Sequence, residues 1–99
     1  MEKVTKIEWT DTAKVALKNV FDFHAKFSEE AAINIVSDII DAADAIVFSK
    51  QYQVDEINPN YRRIVIRDYK ILYKVSRKTI YIMNIVSAKD NPEKLKNLK

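Results

Sequence analysis

The hydrophobic and polar positions of the chain follow two different periods. Apolar side chains alternate with polar ones near the N terminus and in three runs after residue 60, as expected for half-buried strands. Between these regions, two stretches carry apolar residues at three- and four-residue spacing, as in amphipathic helices. The predicted elements are β1 (about Lys3 to Trp9), α1 (roughly Thr12 to Lys26), α2 (from a Ser28 cap to about Phe48), β2 (Arg62 to Ile66), β3 (Tyr69 to Val75) and β4 (Thr79 to Val86).

Both helices have recognisable starts and apolar stripes. Thr10 or Asp11 offers a side-chain oxygen to the first free amides of α1, and Ser28 does the same for α2. His24 lies on the apolar stripe of α1, which favours a packed, hydrogen-bonded histidine over a catalytic one. The predicted stripes are Ala13, Ala16, Leu17, Val20, Phe21, His24 and Phe27 on α1, and Ile33, Val36, Ile39, Ile40, Ala43, Ile46 and Val47 on α2.

The connections define the fold class. The join between the helices is so short that they must form a hairpin, and the gaps between the last three strands are of β-hairpin length. We predict one α+β domain over residues 1–99, of order β-α-α-β-β-β, with the helical hairpin packed on a four-stranded antiparallel sheet. Because the chain has no glycine, Asp68 is the residue expected to adopt a left-handed conformation in the first hairpin. Residues 49–60 are a connector, which Tyr52, Val54 and Ile57 are expected to attach to the core.

The composition excludes several kinds of chemistry. No cysteine is present for a disulfide, a thiolate metal site or a nucleophile, and no glycine is present for a phosphate-binding loop. A single histidine gives no zinc constellation and no recognisable triad. No metal or organic cofactor is implied. No apolar run has the length of a signal peptide or a membrane span, so we expect a cytoplasmic protein without membrane contact.

The charges are divided between the two halves of the chain. Residues 1–49 carry five basic and nine acidic side chains, a net charge of −4, whereas residues 50–99 carry twelve and five, a net charge of +7. Solvation of an outer sheet face would account for individual cations, but their clustering favours a basic groove for phosphates or for the carboxylates of an acidic peptide. The candidate binding residues are Arg62, Arg63, Arg67, Lys70, Lys74 and Lys89, with Tyr61, Tyr69 and Tyr73 as candidates for stacking on bases.

Three runs in the C-terminal half carry a family resemblance. The run YRRIVIRDYKILYKV, the following IYIMNIV and the ending NPEKL resemble the RelE/ParE toxins of bacterial toxin–antitoxin modules, and the helical hairpin after Trp9 fits the same family. The resemblance implies a toxin that is neutralised by a cognate antitoxin wrapping over the helices and sheet. It also implies a role in plasmid stabilisation, and a homodimer or a toxin–antitoxin hetero-oligomer.

One branch of this family resembles RelE and cleaves mRNA on the ribosome. Its pattern has a basic residue early in β3, an arginine after the last strand and a tyrosine on the tail, and these positions correspond to Lys70, Asn91 and Leu95 here. Only Lys70 has matching chemistry, and Lys89 is the nearest cation to the missing arginine. A ribonuclease of this kind would therefore depend on Lys70 and Lys89.

The other branch resembles ParE, which blocks DNA gyrase by binding and needs no catalytic residues. Its usual ending is a histidine-threonine-arginine-glutamine run before NPEKL, where this chain has Ser87, Ala88, Lys89 and Asp90. The resemblance favours ParE-like binding of gyrase over RNA cleavage, with the ribonuclease and a binding module without toxicity as alternatives.

Overall fold

The computed structural model describes residues 3–88 of the chain. It confirms the predicted order of two helices and four strands, but the predicted tail, with Lys89, Asn91 and Leu95, lies outside the described residues. The observed elements are β1 (Lys6–Trp9), α1 (Asp11–Ala25), α2 (Glu29–Asp44), β2 (Arg62–Ile66), β3 (Tyr69–Ser76) and β4 (Thr79–Ser87).

The predicted caps begin both helices. The Thr10 hydroxyl accepts from the amide of Ala13 at 3.2 Å and also donates to the carbonyl of Ile82 at 2.7 Å, which attaches the start of α1 to β4. The Ser28 hydroxyl accepts from the amide of Ala31 at 3.1 Å at the start of α2. Because each cap replaces a backbone partner that the first turn lacks, the helices begin at the residues that follow.

The predicted end of α2 and the predicted start of β1 are both wrong, for one reason. Lys3 forms an isolated antiparallel bridge with Phe48, and the amide of Val4 donates to the carbonyl of Val47 at 2.8 Å. Val47 and Phe48 therefore bond to the chain ahead of β1 instead of continuing the helix. The helical hairpin thus returns the chain to the beginning of the first strand.

The sheet is mixed, and the prediction of an all-antiparallel sheet is wrong for β1. The strand order is β1-β4-β3-β2; β2, β3 and β4 form an antiparallel meander, and β1 runs parallel to β4. After the helical hairpin, the connector crosses to the far edge of the sheet, so the meander ends beside β1 and in the same direction. Alternation of side chains fixes the two faces of a strand but not its neighbour or direction.

The core lies between the helices and one face of the sheet. Ile7, Ile80 and Val75 are paired in one row across β1, β4 and β3, and Ile64, Ile71 and Ile85 form another. The buried residues of this core are Ala13, Val20, Ile35, Ile39, Ala43, Ile46, Ile64, Ile71, Tyr73, Ile80, Ile82 and Ile85.

The buried face of α2 differs from the predicted stripe. The buried positions within the helix are Ala32, Ile35, Ile39 and Ala43, whereas Ile33 is 52% exposed. The predicted stripe is correct for Ile39 and Ala43, which are buried, whereas Ala32 and Ile35 are buried in addition and Ile33 is not. The rest of the predicted stripe within the helix therefore remains partly exposed on the outside of the hairpin.

Both strand hairpins contain non-glycine residues with positive φ. In the first turn Arg67 has φ 53°, so the expectation for Asp68 is wrong. The Arg67 side chain forms an ion pair with Asp38 of α2, which an aspartate in its place could not do. In the second turn, Arg77 and Lys78 have φ 50° and 66°, the two consecutive left-handed residues of a type I′ hairpin.

Candidate functional site

The structure divides the predicted basic groove into three separate places. Arg62 and Lys74 line a pocket at one end of the sheet, Arg63 and Lys70 border a buried carboxylate, and Arg67 contacts the helices. Lys89 lies outside the described residues. Binding by these residues stays a prediction, and their surroundings differ enough to be treated one by one.

The first place is a pocket of about 500 Å³, here called the strand-edge pocket. It forms because β2 begins at Arg62, opposite Tyr73 of β3. Residues 74–76 of β3 therefore extend beyond the end of β2 and are not paired with it. The segment after α2 and the end of the connector close the gap. The lining residues are Ser49, Lys50, Val54, Pro59, Asn60, Tyr61, Arg62, Tyr73, Lys74, Val75 and Arg77.

Two cations of this pocket were not among the sequence-based candidates. Lys50 follows the helical hairpin, and Arg77 lies in the turn between β3 and β4. Only the path of the connector brings them beside Arg62 and Lys74. The one available signal was the net positive charge of the second half of the chain, which does not identify individual residues.

The second place is a buried ion pair. Lys70 is 8% exposed, and its Nζ lies 2.9 Å from Oδ1 of Asp55, which is 1% exposed. The Asp55 Oδ2 accepts from the amides of Asn58 at 2.8 Å and Ile57 at 3.2 Å, while Arg63 Nε lies 3.8 Å from Oδ1. This arrangement attaches the connector to the middle of the sheet.

The pKa of Asp55 reflects two opposing effects. Burial alone would raise the pKa of this carboxyl, but the hydrogen bonds from Lys70 and Asn58 outweigh it and hold the pKa below its usual value. Asp55 is therefore ionised at neutral pH, and Lys70 is its counter-ion. Sequence reasoning missed Asp55, although an aspartate three residues before an Asn-Pro turn is a common sign of a side chain that caps a turn.

The third place joins the sheet to the helices. Arg67 Nη2 lies 2.6 Å from Oδ2 of Asp38, and Arg67 Nε donates to the same oxygen at 2.7 Å. Both side chains are 45% exposed, so water screens the pair and its contribution to stability is small. Arg67 retains an accessible guanidinium edge.

His24 has the structural role that its position predicted. Its Nε2 lies 2.7 Å from the hydroxyl oxygen of Tyr69, and the two rings meet edge to face with centroids 6.0 Å apart. The ring of Phe23 contacts the other side of His24, at 5.1 Å between centroids. The histidine therefore links α1 to β3 as a packed, hydrogen-bonded residue.

The outside of the helical hairpin has an apolar depression of about 280 Å³, here called the helical groove. It lies over the partly exposed positions of the predicted α2 stripe, beside Phe21 of α1. The exposed edge of Ile33 and the partly buried Val36 and Ile40 supply most of its surface. The lining residues are Phe21, Ile33, Val36, Ser37, Ile40 and Asp41.

Within residues 3–88, no cluster of three or more histidine, aspartate or glutamate side chains is arranged to hold a metal ion. No helix in the same range combines the length and the apolar character needed to cross a membrane.

The fold places the chain in the RelE/ParE-like class of small α+β domains. A solved structure described as "Chromosomal ParDE TA system from P. aeruginosa" contains a chain that superimposes with a TM-score of 0.71; the match covers 85% of this chain and 96% of that one, at 20% sequence identity. At this identity the likeness concerns the fold. No curated protein matches the sequence.

A family model gives the narrower assignment. The model described as "ParE toxin of type II toxin-antitoxin system, parDE" matches residues 7–92, which include every helix and strand of the structure except the first residue of β1. The chain belongs to this family of ParE toxins.

Proposed function

We propose that this ParE-family toxin acts by binding DNA gyrase in the cytoplasm, and that a cognate antitoxin neutralises it within a toxin–antitoxin hetero-oligomer that serves plasmid stabilisation. The observation that carries the proposal is the family match over residues 7–92, which spans the described fold. The sequence resemblance to the branch that blocks gyrase supports this target.

The state of Lys70 favours binding over RNA cleavage. A ribonuclease of the RelE kind would need Lys70 free to stabilise phosphate charge, yet its ammonium group is buried against Asp55 at 2.9 Å. Withdrawing Lys70 would leave the Asp55 carboxylate buried without its main counter-ion, which is costly. His24 is likewise held by Tyr69 at 2.7 Å. A toxin that acts by binding needs neither side chain to be free.

The helical groove is the surface that best suits the antitoxin. Its apolar lining includes Ile33, which is 52% exposed, and an apolar depression on a helical hairpin can accommodate the apolar face of an amphipathic segment. An amphipathic segment of the antitoxin would place apolar side chains over Val36 and Ile40. Such a complex would be a hetero-oligomer in which the apolar depression is covered.

The proposal is tested by expressing the protein from an inducible promoter, alone and together with its antitoxin, and measuring growth, plasmid supercoiling and bulk mRNA. We expect growth arrest with altered plasmid supercoiling and intact mRNA, reversed by the antitoxin. Degraded mRNA with unchanged supercoiling would favour the ribonuclease. Normal growth, with the complex still formed, would favour the non-toxic binding module.

The antitoxin surface is tested in the same cells with Ile33→Glu. We expect this variant to remain toxic when the antitoxin is present, because a charge in the helical groove opposes burial of an apolar segment. Val15→Glu is the matched control, since Val15 is 59% exposed on α1 and does not line the groove. Neutralisation of both variants to the same degree would rule out the groove as the antitoxin site.

A further inference from the structure

The strand-edge pocket has a strongly one-sided charge. Its wall contains Lys50, Arg62, Lys74 and Arg77, and its lining includes no aspartate or glutamate. The cations come from four different parts of the chain: the segment after α2, the start of β2, the end of β3 and the turn before β4. Cations that converge on one concavity without carboxylates create a positive potential there.

None of these four cations has a carboxylate partner in the described part of the chain. Lys50, Lys74 and Arg77 are exposed and form none of the ion pairs found among residues 3–88. Arg63, Arg67 and Lys70, by contrast, all have carboxylate partners. Several uncompensated cations therefore converge on this pocket, whereas other unpaired lysines of the described residues, such as Lys14 and Lys26, lie apart on the helical hairpin.

The pocket wall also contains a polar group that lacks a partner. Tyr73 is fully buried, and within the described residues its hydroxyl has no hydrogen-bond partner. Burial raises the pKa of this hydroxyl, an effect that the nearby Tyr52 backbone and the Arg62 guanidinium only partly oppose. The hydroxyl is therefore protonated at neutral pH, and because Tyr73 is fully buried it lies behind the pocket surface.

The size and remaining lining of the pocket indicate a small molecule. A volume of about 500 Å³ is in the range of ligand pockets, and Pro59 and the half-exposed Tyr61 add ring surface to one wall. Aromatic rings stack on nucleobases. Arg62 is already oriented, because its Nη1 donates to the carbonyl of Tyr52 at 2.8 Å.

We propose that the strand-edge pocket binds the phosphate groups of a nucleotide-sized ligand. Lys50, Lys74 and Arg77 neutralise the phosphates, Arg62 donates hydrogen bonds, and Tyr61 contacts the base. A phosphate monoester carries close to two charges on one compact group, which matches several converging cations better than a single carboxylate does. The proposal does not depend on gyrase or on the antitoxin.

The test is calorimetric titration of the purified full-length protein with ADP, adenosine and inorganic phosphate as probes. We expect ADP to bind with an affinity that falls as salt is added, phosphate to compete with it, and adenosine not to bind. In the double variant Lys74→Gln/Arg77→Gln, ADP affinity should fall by about tenfold or more, since two contacts to charged groups are lost. The matched control is Lys14→Gln/Lys26→Gln, which removes the same charge from exposed lysines of the helical hairpin.

Tyr61→Leu provides a second test that is independent of net charge. It should weaken ADP binding several-fold and leave the binding of inorganic phosphate unchanged, because only the ring that contacts the base is removed. A short single-stranded oligonucleotide, with and without a 5′ phosphate, distinguishes the end of a nucleic acid from a free nucleotide as the source of the phosphate.

Three results would overturn the proposal. The first is no binding of ADP at millimolar concentration by the folded protein. The second is an equal loss of ADP affinity in the pocket variant and the control variant, which would mean that only the net charge of the protein matters. The third is binding of a glutamate-rich peptide in the pocket where ADP does not bind, which would make the site a carboxylate site.

Discussion

Two tyrosines of β3 show that the contribution of a hydroxyl group to the stability of the fold depends on its surroundings. Tyr69 and Tyr73 both lie on the helix-facing side of the strand, opposite Ile66 and Arg62 of β2. The Tyr69 hydroxyl is within 2.7 Å of His24, whereas the Tyr73 hydroxyl is buried without a partner among the described residues. The first hydroxyl therefore stabilises the fold, and the second costs free energy in the absence of a ligand.

Removing these hydroxyls should have opposite effects on stability. We expect Tyr73→Phe to raise the free energy of unfolding by about 1 kcal/mol, because a buried donor without a partner is eliminated. The corresponding rise in Tm is roughly 4–8 °C for a domain of this size. Tyr69→Phe, the matched control, should lower stability by about 1 kcal/mol through loss of the bond to His24. Urea denaturation measures both; a destabilised Tyr73→Phe protein would mean that the hydroxyl has a partner.

Among the structural elements, the connector depends most on a single side chain. Residues 53–55 lie beside β2. The backbone amide of Arg63 donates to the carbonyl of Gln53, and the backbone amide of Asp55 donates to the carbonyl of Tyr61. The Asp55 side chain extends into the interior, where its carboxylate forms an ion pair with Lys70. The sequence predicted apolar anchors for this segment, and Tyr52 is one, since its ring meets Tyr73 edge to face. Val54, by contrast, is 43% exposed.

Replacing Asp55 with asparagine should destabilise the protein by about 3 kcal/mol at neutral pH, because Lys70 would be left buried without a counter-ion. Asp38→Asn, which breaks the half-exposed pair with Arg67, should cost less than about 1 kcal/mol. Chemical denaturation of both variants compares the two ion pairs directly. Similar losses in the two proteins would show that burial adds nothing to the Asp55–Lys70 pair.

The same variant has a distinct pH dependence. The folded-state pKa of Asp55 is lowered, so its contribution is fully present above the unfolded-state pKa of about 3.9 and is lost as the pH falls through the lower folded value. We expect wild-type stability to decline on acidification below about pH 4 more steeply than that of Asp55→Asn. Denaturation curves from pH 7 to acid, run in parallel, measure this difference, and parallel slopes would contradict it.

The sequence predicted best those elements whose hydrophobic pattern and flanking turns together fix the first and last residue. The bounds of β2 were correct and those of β3 and β4 were within one residue, because alternation and short turns determine them together. The parallel pairing of β1 and the buried face of α2 were not predictable, since they depend on distant neighbours. At the candidate sites, Lys70 was predicted from the sequence as a basic surface residue, but the path of the connector buries it against Asp55, and that path depends on distant neighbours.

At the scale of the whole molecule, the division of charge follows the division of the fold. The net negative half of the sequence contains β1 and the helical hairpin, and the net positive half contains the meander and nearly all of the connector. The helical groove and the strand-edge pocket share no lining residue. A partner on the hairpin and a ligand at the sheet edge therefore have separate contact surfaces in this toxin.

The central claim is that the free toxin acts by binding gyrase, and its most direct test is plasmid supercoiling by purified gyrase with increasing amounts of this protein. The account predicts inhibition or trapped DNA cleavage near equimolar toxin, and reversal by the antitoxin. It predicts the same inhibition by the double variant Asp55→Asn/Lys70→Met, which removes both charges of the buried pair and leaves no unpaired carboxylate, because the buried lysine has no catalytic role. Unchanged supercoiling with an excess of the folded protein would contradict the claim.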